Sequence, residues 1–215
     1  MDLITLTDPR SPVSEAYRTL RTNLSFYSVD DPVQSLVVTS SATDDGKSSL
    51  AANLAVTMAQ SGRRTILVDC DLRRPTLHDL FDLNAEPGLT NVILAEFDGV
   101  PLQETGVENL QLLASGPKPP NPADMLGSKR MDALIGELTG QADFVIFDSP
   151  PALAVTDAAV LGAKVDGVLL VISAGKTRRE HAQRAKESLE KARVRIVGVT
   201  LTNAPQDSMV TDYYG

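Results

Sequence analysis

Residues Ser41-Ala42-Thr43-Asp44-Asp45-Gly46-Lys47-Ser48 carry the spacing of a phosphate-cradling loop, G-x-x-x-x-G-K-[ST], with serine in place of the first glycine. In such a loop the main-chain N–H groups of Ala42, Thr43, Asp44, Asp45, Gly46, Lys47, Ser48 and Ser49, together with the start of the following helix, surround phosphate oxygens. Gly46 allows the close approach, Lys47 reaches the β- and γ-phosphates, and the Ser48 hydroxyl is a ligand for Mg²⁺. The chemistry is that of a nucleoside triphosphate site. Asp44 and Asp45 oppose it, because carboxylates beside a triphosphate repel it unless a metal or Lys47 screens them.

Two further signals follow apolar runs. One is Asp69-Cys70-Asp71-Leu72-Arg73-Arg74-Pro75, and the other is Phe147-Asp148-Ser149-Pro150-Pro151. Aspartates at strand ends can cap the next helix. Three of them beside a phosphate loop are also what Mg²⁺-dependent phosphoryl transfer needs, since the metal takes hard oxygens and a nucleophile must lose a proton.

The elements that must position these residues are visible as apolar runs: Ser35 to Ser40, Thr65 to Val68, Phe144 to Phe147, Val168 to Ile172, Ile196 to Leu201, and the weaker Leu110 to Ala114. Runs without alternation are strands buried on both faces, as in a parallel sheet. Helical spacing lies between them, in Leu50, Leu54 and Met58, in Met131, Leu134 and Leu138, and in the charged run Arg178 to Ala192. The alternation predicts a three-layer α/β domain, a mostly parallel sheet flanked by helices, with its ligand at the carboxyl ends of the strands. Ser11 to Tyr27 reads as an amphipathic helix with Ala16, Leu20 and Leu24 on one stripe, and Ser115 to Pro122 as a proline-rich loop.

Composition narrows the function classes. The chain has 215 residues, 42% of them hydrophobic, with 20 basic and 28 acidic side chains for a net charge of -8. A broad nucleic-acid footprint is disfavoured by that charge. The single cysteine, Cys70, forms no disulfide framework and fits a reducing compartment. No apolar run reaches the ~18 residues of a membrane span, and the expected location is cytoplasmic.

With the loop, Asp-x-Asp-x-Arg and hydrophobic-Asp-x-x-Pro in that order, the chain resembles the bacterial tyrosine kinases, P-loop autokinases of capsular and extracellular polysaccharide synthesis. The resemblance runs almost end to end: Glu15, Arg18 and Arg21 match the family's Glu-x-x-Arg-x-x-Arg helix, and Pro120-Asn121-Pro122 its proline-rich loop. It implies a P-loop NTPase fold divided into an amino-terminal segment with an oligomerisation helix (1–34), a kinase domain (35–203) and a tyrosine-bearing tail (204–215). It implies ATP/ADP and Mg²⁺ as cofactors and catalysis by Lys47, Asp69 and Asp71, with Ser48, Asp71 and Asp148 holding the metal. Asp69 takes the proton from an incoming tyrosine, and Tyr213 and Tyr214 are the phosphate acceptors. Implied partners are copies of the same chain in a ring, a membrane activator protein or fused membrane domain that places the kinase at the inner face of the cell membrane, and a cognate phosphatase.

The departures from the family are specific. The tail is short, and the loop lacks the usual proline and second glycine. Ala42 stands where related partition and site-selection ATPases carry a lysine, which points away from them. Asn203 competes with Thr202 as the residue facing adenine. Two other readings stay open: an ATPase whose nucleotide state switches assembly, and a nucleotide-binding scaffold without turnover. Without the family match, Glu15, Arg18 and Arg21 read as a solvated intrahelical pair. His78 and His181 fit no triad or metal spacing, and Cys70 between two aspartates is no nucleophile.

Overall fold

The computed structural model describes residues 3–27 and 32–205, so Tyr213 and Tyr214 lie outside the described residues. β1 (Ser35–Ser40), β2 (Thr65–Asp69), the short β3 (Gln103–Glu104), β4 (Leu110–Leu113), β5 (Phe144–Asp148), β6 (Gly167–Ser173) and β7 (Ile196–Thr202) form one sheet. Its order is β3-β4-β2-β5-β1-β6-β7. Every pairing is parallel except β3 with β4. Parallel neighbours require crossovers, and the chain supplies helices for them. The helices are α1 (Ile4–Thr7), α2 (Pro12–Ser25), α3 (Lys47–Gln60), α4 (Leu77–Phe81), α5 (Leu89–Leu94), α6 (Pro122–Leu126), α7 (Lys129–Gln141), α8 (Asp157–Gly162) and α9 (Arg179–Lys191).

Side chains alternate across the sheet and feed two cores. On one face Val37, Ile66, Val145 and Phe147 pack with Met131, Leu134 and Leu138 of α7 and with Leu161 and Leu189. On the other, Leu36, Val38, Leu67 and Ile146 pack with Leu50, Leu54 and Met58 of α3. This is the three-layer P-loop NTPase architecture expected from the sequence, and it explains why the strands read as unbroken apolar runs.

Three expectations change in detail. α3 is buried all round from Leu50 to Ala59 and is not a helix with one wet face. α1 and α2 cover its outer side, and Leu3 and Leu24 belong to the same core as β1. On α2 the packing stripe is Tyr17, Leu20 and Leu24, whereas Ala16 is exposed. The five shortest helices and β3 are too brief to show a period, so hydrophobic patterning leaves them invisible. Pro122, taken as the end of a loop, is the first residue of α6, where its missing N–H costs nothing.

α3 carries the phosphate loop at its start, so what grips it positions the site. Inside the α1–α3 contact, Asn53 Oδ1 accepts from Thr5 N (3.1 Å) and Thr5 Oγ1 (2.8 Å), while Asn53 Nδ2 donates to the Ser49 carbonyl (2.8 Å). Both residues are buried. Removing one partner of a buried polar set leaves the others unsatisfied, so Asn53→Ala should lower the unfolding free energy by about 1–3 kcal/mol in a urea titration. A midpoint equal to wild type would show that this bond set contributes nothing.

Candidate active site

The sheet order puts β1 between β5 and β6, so the loop after β1 opens beside the ends of its neighbours. Register then aligns the acids. Asp69, the last residue of β2, pairs with Asp148, the last of β5, and Cys70 N donates to the Asp148 carbonyl at 2.8 Å. Three aspartates are thereby concentrated on one side of the phosphate loop: Asp69 and Asp148 are fully buried and Asp71 is 5% exposed.

Like charges so close need a cation. Lys47, the first residue of α3, supplies it: Nζ lies 2.9 Å from Asp71 Oδ2, 3.4 Å from both oxygens of Asp148, and 3.0 Å from Ser48 Oγ. Burial alone would lower the lysine, but Asp148 and Asp71 outweigh it, and its ammonium is held above the usual pKa. Ser48 Oγ donates to Asp148 Oδ2. Burial pushes Asp148 upward against the pull of Lys47. Burial, with Asp148 adding to it, pushes Asp69 up to about 7.

The structure separates the roles of the paired aspartates. Asp69 Oδ2 accepts from the backbone N–H groups of Thr76 and Leu77 (both 3.0 Å), and Oδ1 from Asp71 N (3.2 Å). It caps the entry to α4 and shapes the turn carrying Asp71. Of these two, Asp71 lines the adjoining cavity of about 550 Å³, along with Asp44, Lys47, Ser48, Arg74, Pro151 and Val155. A hydroxyl entering that cavity meets Asp71 first, and Asp69 stands behind it.

Among the described residues no three His, Cys, Asp or Glu side chains form a metal cage. Ser48, Asp71 and Asp148 instead offer a hydroxyl and two carboxylates, the sparse, hard-oxygen set with which Mg²⁺ is held when phosphate oxygens and water complete its shell. The residues present therefore fit that ion.

The phosphate loop follows expectation at Gly46, whose φ of +83° is a backbone conformation that favours glycine. It departs at two other residues. The Ala42 N–H donates to the Asp45 carboxylate at 3.0 Å, which removes it from the set expected to cradle phosphate. Asp45 is buried, and its carboxylate accepts from Ser41, Ala42 and Thr177. Asn203 lies in a second cavity of about 540 Å³ with Tyr17, Gly46, Ser49 and Pro205, and its Nδ2 donates to Ser173 Oγ at 3.0 Å. Thr202 lines the same cavity.

Sequence reasoning missed Asp157. Fully buried at the first position of α8, it holds Arg73 in a two-pronged pair, Nε–Oδ2 and Nη2–Oδ1 both 3.0 Å. The pair ties the turn after β2 to the segment after β5. Its only trace in the sequence is the Arg of Asp-x-Asp-x-Arg. The expected oligomerisation face is partly used within the chain: Arg18 pairs with Glu15 along α2, and Arg21 donates to the Thr57 carbonyl of α3 at 2.9 Å.

A strand, a Gly-Lys-Ser loop, a helix and an aspartate at the end of the strand paired with the first define a P-loop NTPase. The chain matches the ParA family, described as NUBPL iron-transfer P-loop NTPase, over residues 33–204. It is 46% identical over 201 residues to the tyrosine-protein kinase YwqD of Bacillus subtilis, covering 93% of this chain and 85% of that protein. To the putative tyrosine-protein kinase CapB of Staphylococcus aureus it is 39% identical, covering 96% and 91%. The kinase domain of the Escherichia coli tyrosine kinase ETK superposes with a TM-score of 0.91 at 32% identity, over 97% of this chain and 82% of that one. The chain belongs to the bacterial tyrosine kinases, a branch of the ParA-type P-loop NTPases.

The raised Asp69 has a consequence for stability. A carboxyl that binds its proton more tightly when folded stabilises the protein at low pH and loses that contribution as pH rises toward its folded pKa. Between pH 4 and about 7, wild type should therefore lose stability relative to Asp69→Asn. Parallel stability–pH curves for the two proteins would show that Asp69 titrates normally.

Proposed function

We propose that this tyrosine kinase transfers the γ-phosphoryl group of ATP, with Mg²⁺, to Tyr213 and Tyr214 in the tail of a neighbouring copy. The carrying observation is the Lys47 ammonium set among Asp71, Asp148 and Ser48 at the mouth of the phosphate loop. Bound there, Mg²⁺ would neutralise charge on the β- and γ-phosphates. Lys47, Ser48, Asp71 and Asp148 are the residues assigned to that charge and metal work, and the N–H groups from Thr43 to Ser49 to the phosphates.

In the transfer, the phenolic oxygen bonds to the γ-phosphorus and the bond to the β,γ-bridging oxygen breaks, its electron pair leaving on ADP. The phenolic proton passes to a carboxylate. Asp69 is assigned that role on its raised proton affinity. Asp71 is the second candidate because it alone of the two lines the cavity. A pH–rate profile separates them. If Asp69 is the acceptor, Asp69→Asn removes the limb near pH 7 while Asp71→Asn retains it.

The tether supports transfer between copies. About ten residues separate Thr202 from Tyr213, a reach of at most ~35 Å, and a return to the chain's own cavity must also align the hydroxyl in line with the γ-phosphate. We assign the contact between copies to the α2 face bearing Glu15, Arg18 and Arg21, and a membrane partner or fused membrane domain to the assembled kinase. A cognate phosphatase would reverse the modification. Among the described residues no helix is long and apolar enough to cross a membrane.

Two experiments test this. Lys47→Met, folded by its melting curve, should lose roughly 10²-fold or more of its phosphoryl transfer, as removal of a charge-stabilising donor does. Mixed with an active chain lacking both tail tyrosines, it should acquire phosphate on Tyr213 or Tyr214. No label on the mixed chains, with wild type labelled normally, would leave only transfer within one chain. Separately, Arg18→Glu should shift the mass seen by light scattering toward monomer at matched salt. An unchanged mass would return Glu15 and Arg18 to a purely intrahelical pair.

A further inference from the structure

The loop's two departures from the phosphate-loop pattern, Ser41 for glycine and an acid just before Gly46, meet each other in space. Asp45 Oδ2 accepts from Ser41 Oγ (3.1 Å) and Ala42 N (3.0 Å), and Oδ1 accepts from Thr177 Oγ1 (2.9 Å). The Asp45 side chain therefore bridges the first residues of the loop to the segment after β6. That segment is itself fixed, since Thr177 Oγ1 accepts from Ser173 N at 3.0 Å. The main chain on either side of the carboxylate is held from the same direction: Lys176 Nζ donates to the Asp44 carbonyl (3.0 Å) and Thr202 Oγ1 to the Asp45 carbonyl (2.7 Å). Asp44 has a φ of +59° and Gly46 one of +83°, so Asp45 sits between two left-handed residues in a bend that needs support. Its own exposure is 1%.

We propose that Asp45 is a positioning residue, a buried strut that holds the phosphate loop open in its binding shape, with Thr177 as the post against which it braces. The inference rests on the nucleotide-binding reading above and adds a residue to it whose charge points the wrong way for a direct role. Electrostatics alone predicts that removing a carboxylate beside a polyanion improves binding. The strut predicts the reverse. Asparagine has the same shape but no charge and only one accepting oxygen; with that oxygen kept on Ser41 and Ala42, its NH2 faces Thr177 Oγ1, so the bond in which Thr177 donates to a carboxylate is lost and the Thr177 hydroxyl must turn to accept.

Titration of Mg-ATP into wild type, Asp45→Asn and Thr177→Val decides between them, followed by steady-state kinase assays. The strut predicts that Asp45→Asn weakens Mg-ATP binding about tenfold and raises KM for ATP to match, with kcat within about threefold, the signature of lost ground-state binding. Thr177→Val, which keeps the carboxylate and removes one brace, should weaken binding about threefold. Equal or tighter binding by Asp45→Asn, or a loss confined to kcat, would overturn the inference. If Asp45→Asn fails to fold, Thr177→Val decides alone, and unchanged affinity there would overturn it. A wild type that does not bind Mg-ATP would overturn the nucleotide reading and the strut with it. A wild type that binds while Asp45→Asn binds no worse would overturn the strut only.

Discussion

One electrostatic constraint organises this protein: two strand-end aspartates, Asp69 and Asp148, lie side by side in register with a third, Asp71, two residues on, nearly all out of contact with water. Uncompensated, such a group would not remain ionised. The Lys47 ammonium, delivered by the first residue of α3, lies between Asp71 and Asp148 and balances part of that charge. Backbone N–H groups balance more of it at Asp69, but burial, with Asp148 adding to it, still pushes that carboxyl up to about 7. The same arrangement that makes the acids expensive makes them useful, because a buried, lysine-neutralised acid cluster with a raised proton affinity is poised to exchange a cation and to accept a proton.

The rest of the fold serves that placement. β1 must sit between β5 and β6 for its loop to open beside Asp148, and α3 must be gripped firmly for Lys47 to arrive at the right depth. That grip is why α3 is buried on every side from Leu50 to Ala59 and why the amino-terminal helices belong to the same core as the sheet. The Arg73–Asp157 pair performs a similar service at the other wall, joining the two loops that carry Asp71 and Pro151.

Much of this was legible in the sequence, for physical reasons. Strands buried on both faces leave unbroken apolar runs, and the main ones announced themselves from Ser35 to Leu201. Gly46-Lys47-Ser48 after a strand, with Asp71 and Asp148 at the ends of two others, marked residues that the structure brings together around Lys47. What could not be read was anything set by contact across the chain. Asp157 is an ordinary helix-start acid until the fold brings it to Arg73. Asn53 looks like one polar residue in an apolar helix until Thr5 lies against it. Asp45 reads as a charge beside phosphate, because sequence shows its type and not that its carboxylate is bonded to Ala42 and Thr177. The same limit applies to Asp69 and Asp71, since spacing does not show that Asp71 lines the cavity while Asp69 is fully buried.

The central claim is that the acid cluster and phosphate loop move phosphate onto tyrosine and do not merely hydrolyse ATP. Intact mass of the purified chain after incubation with Mg-ATP, with fragment mapping of any added phosphate, tests it most directly. The account predicts phosphate added to the chain and mapping to Tyr213 and Tyr214. ADP production with no change in mass would contradict it and identify the protein as an ATPase that uses the nucleotide as a switch.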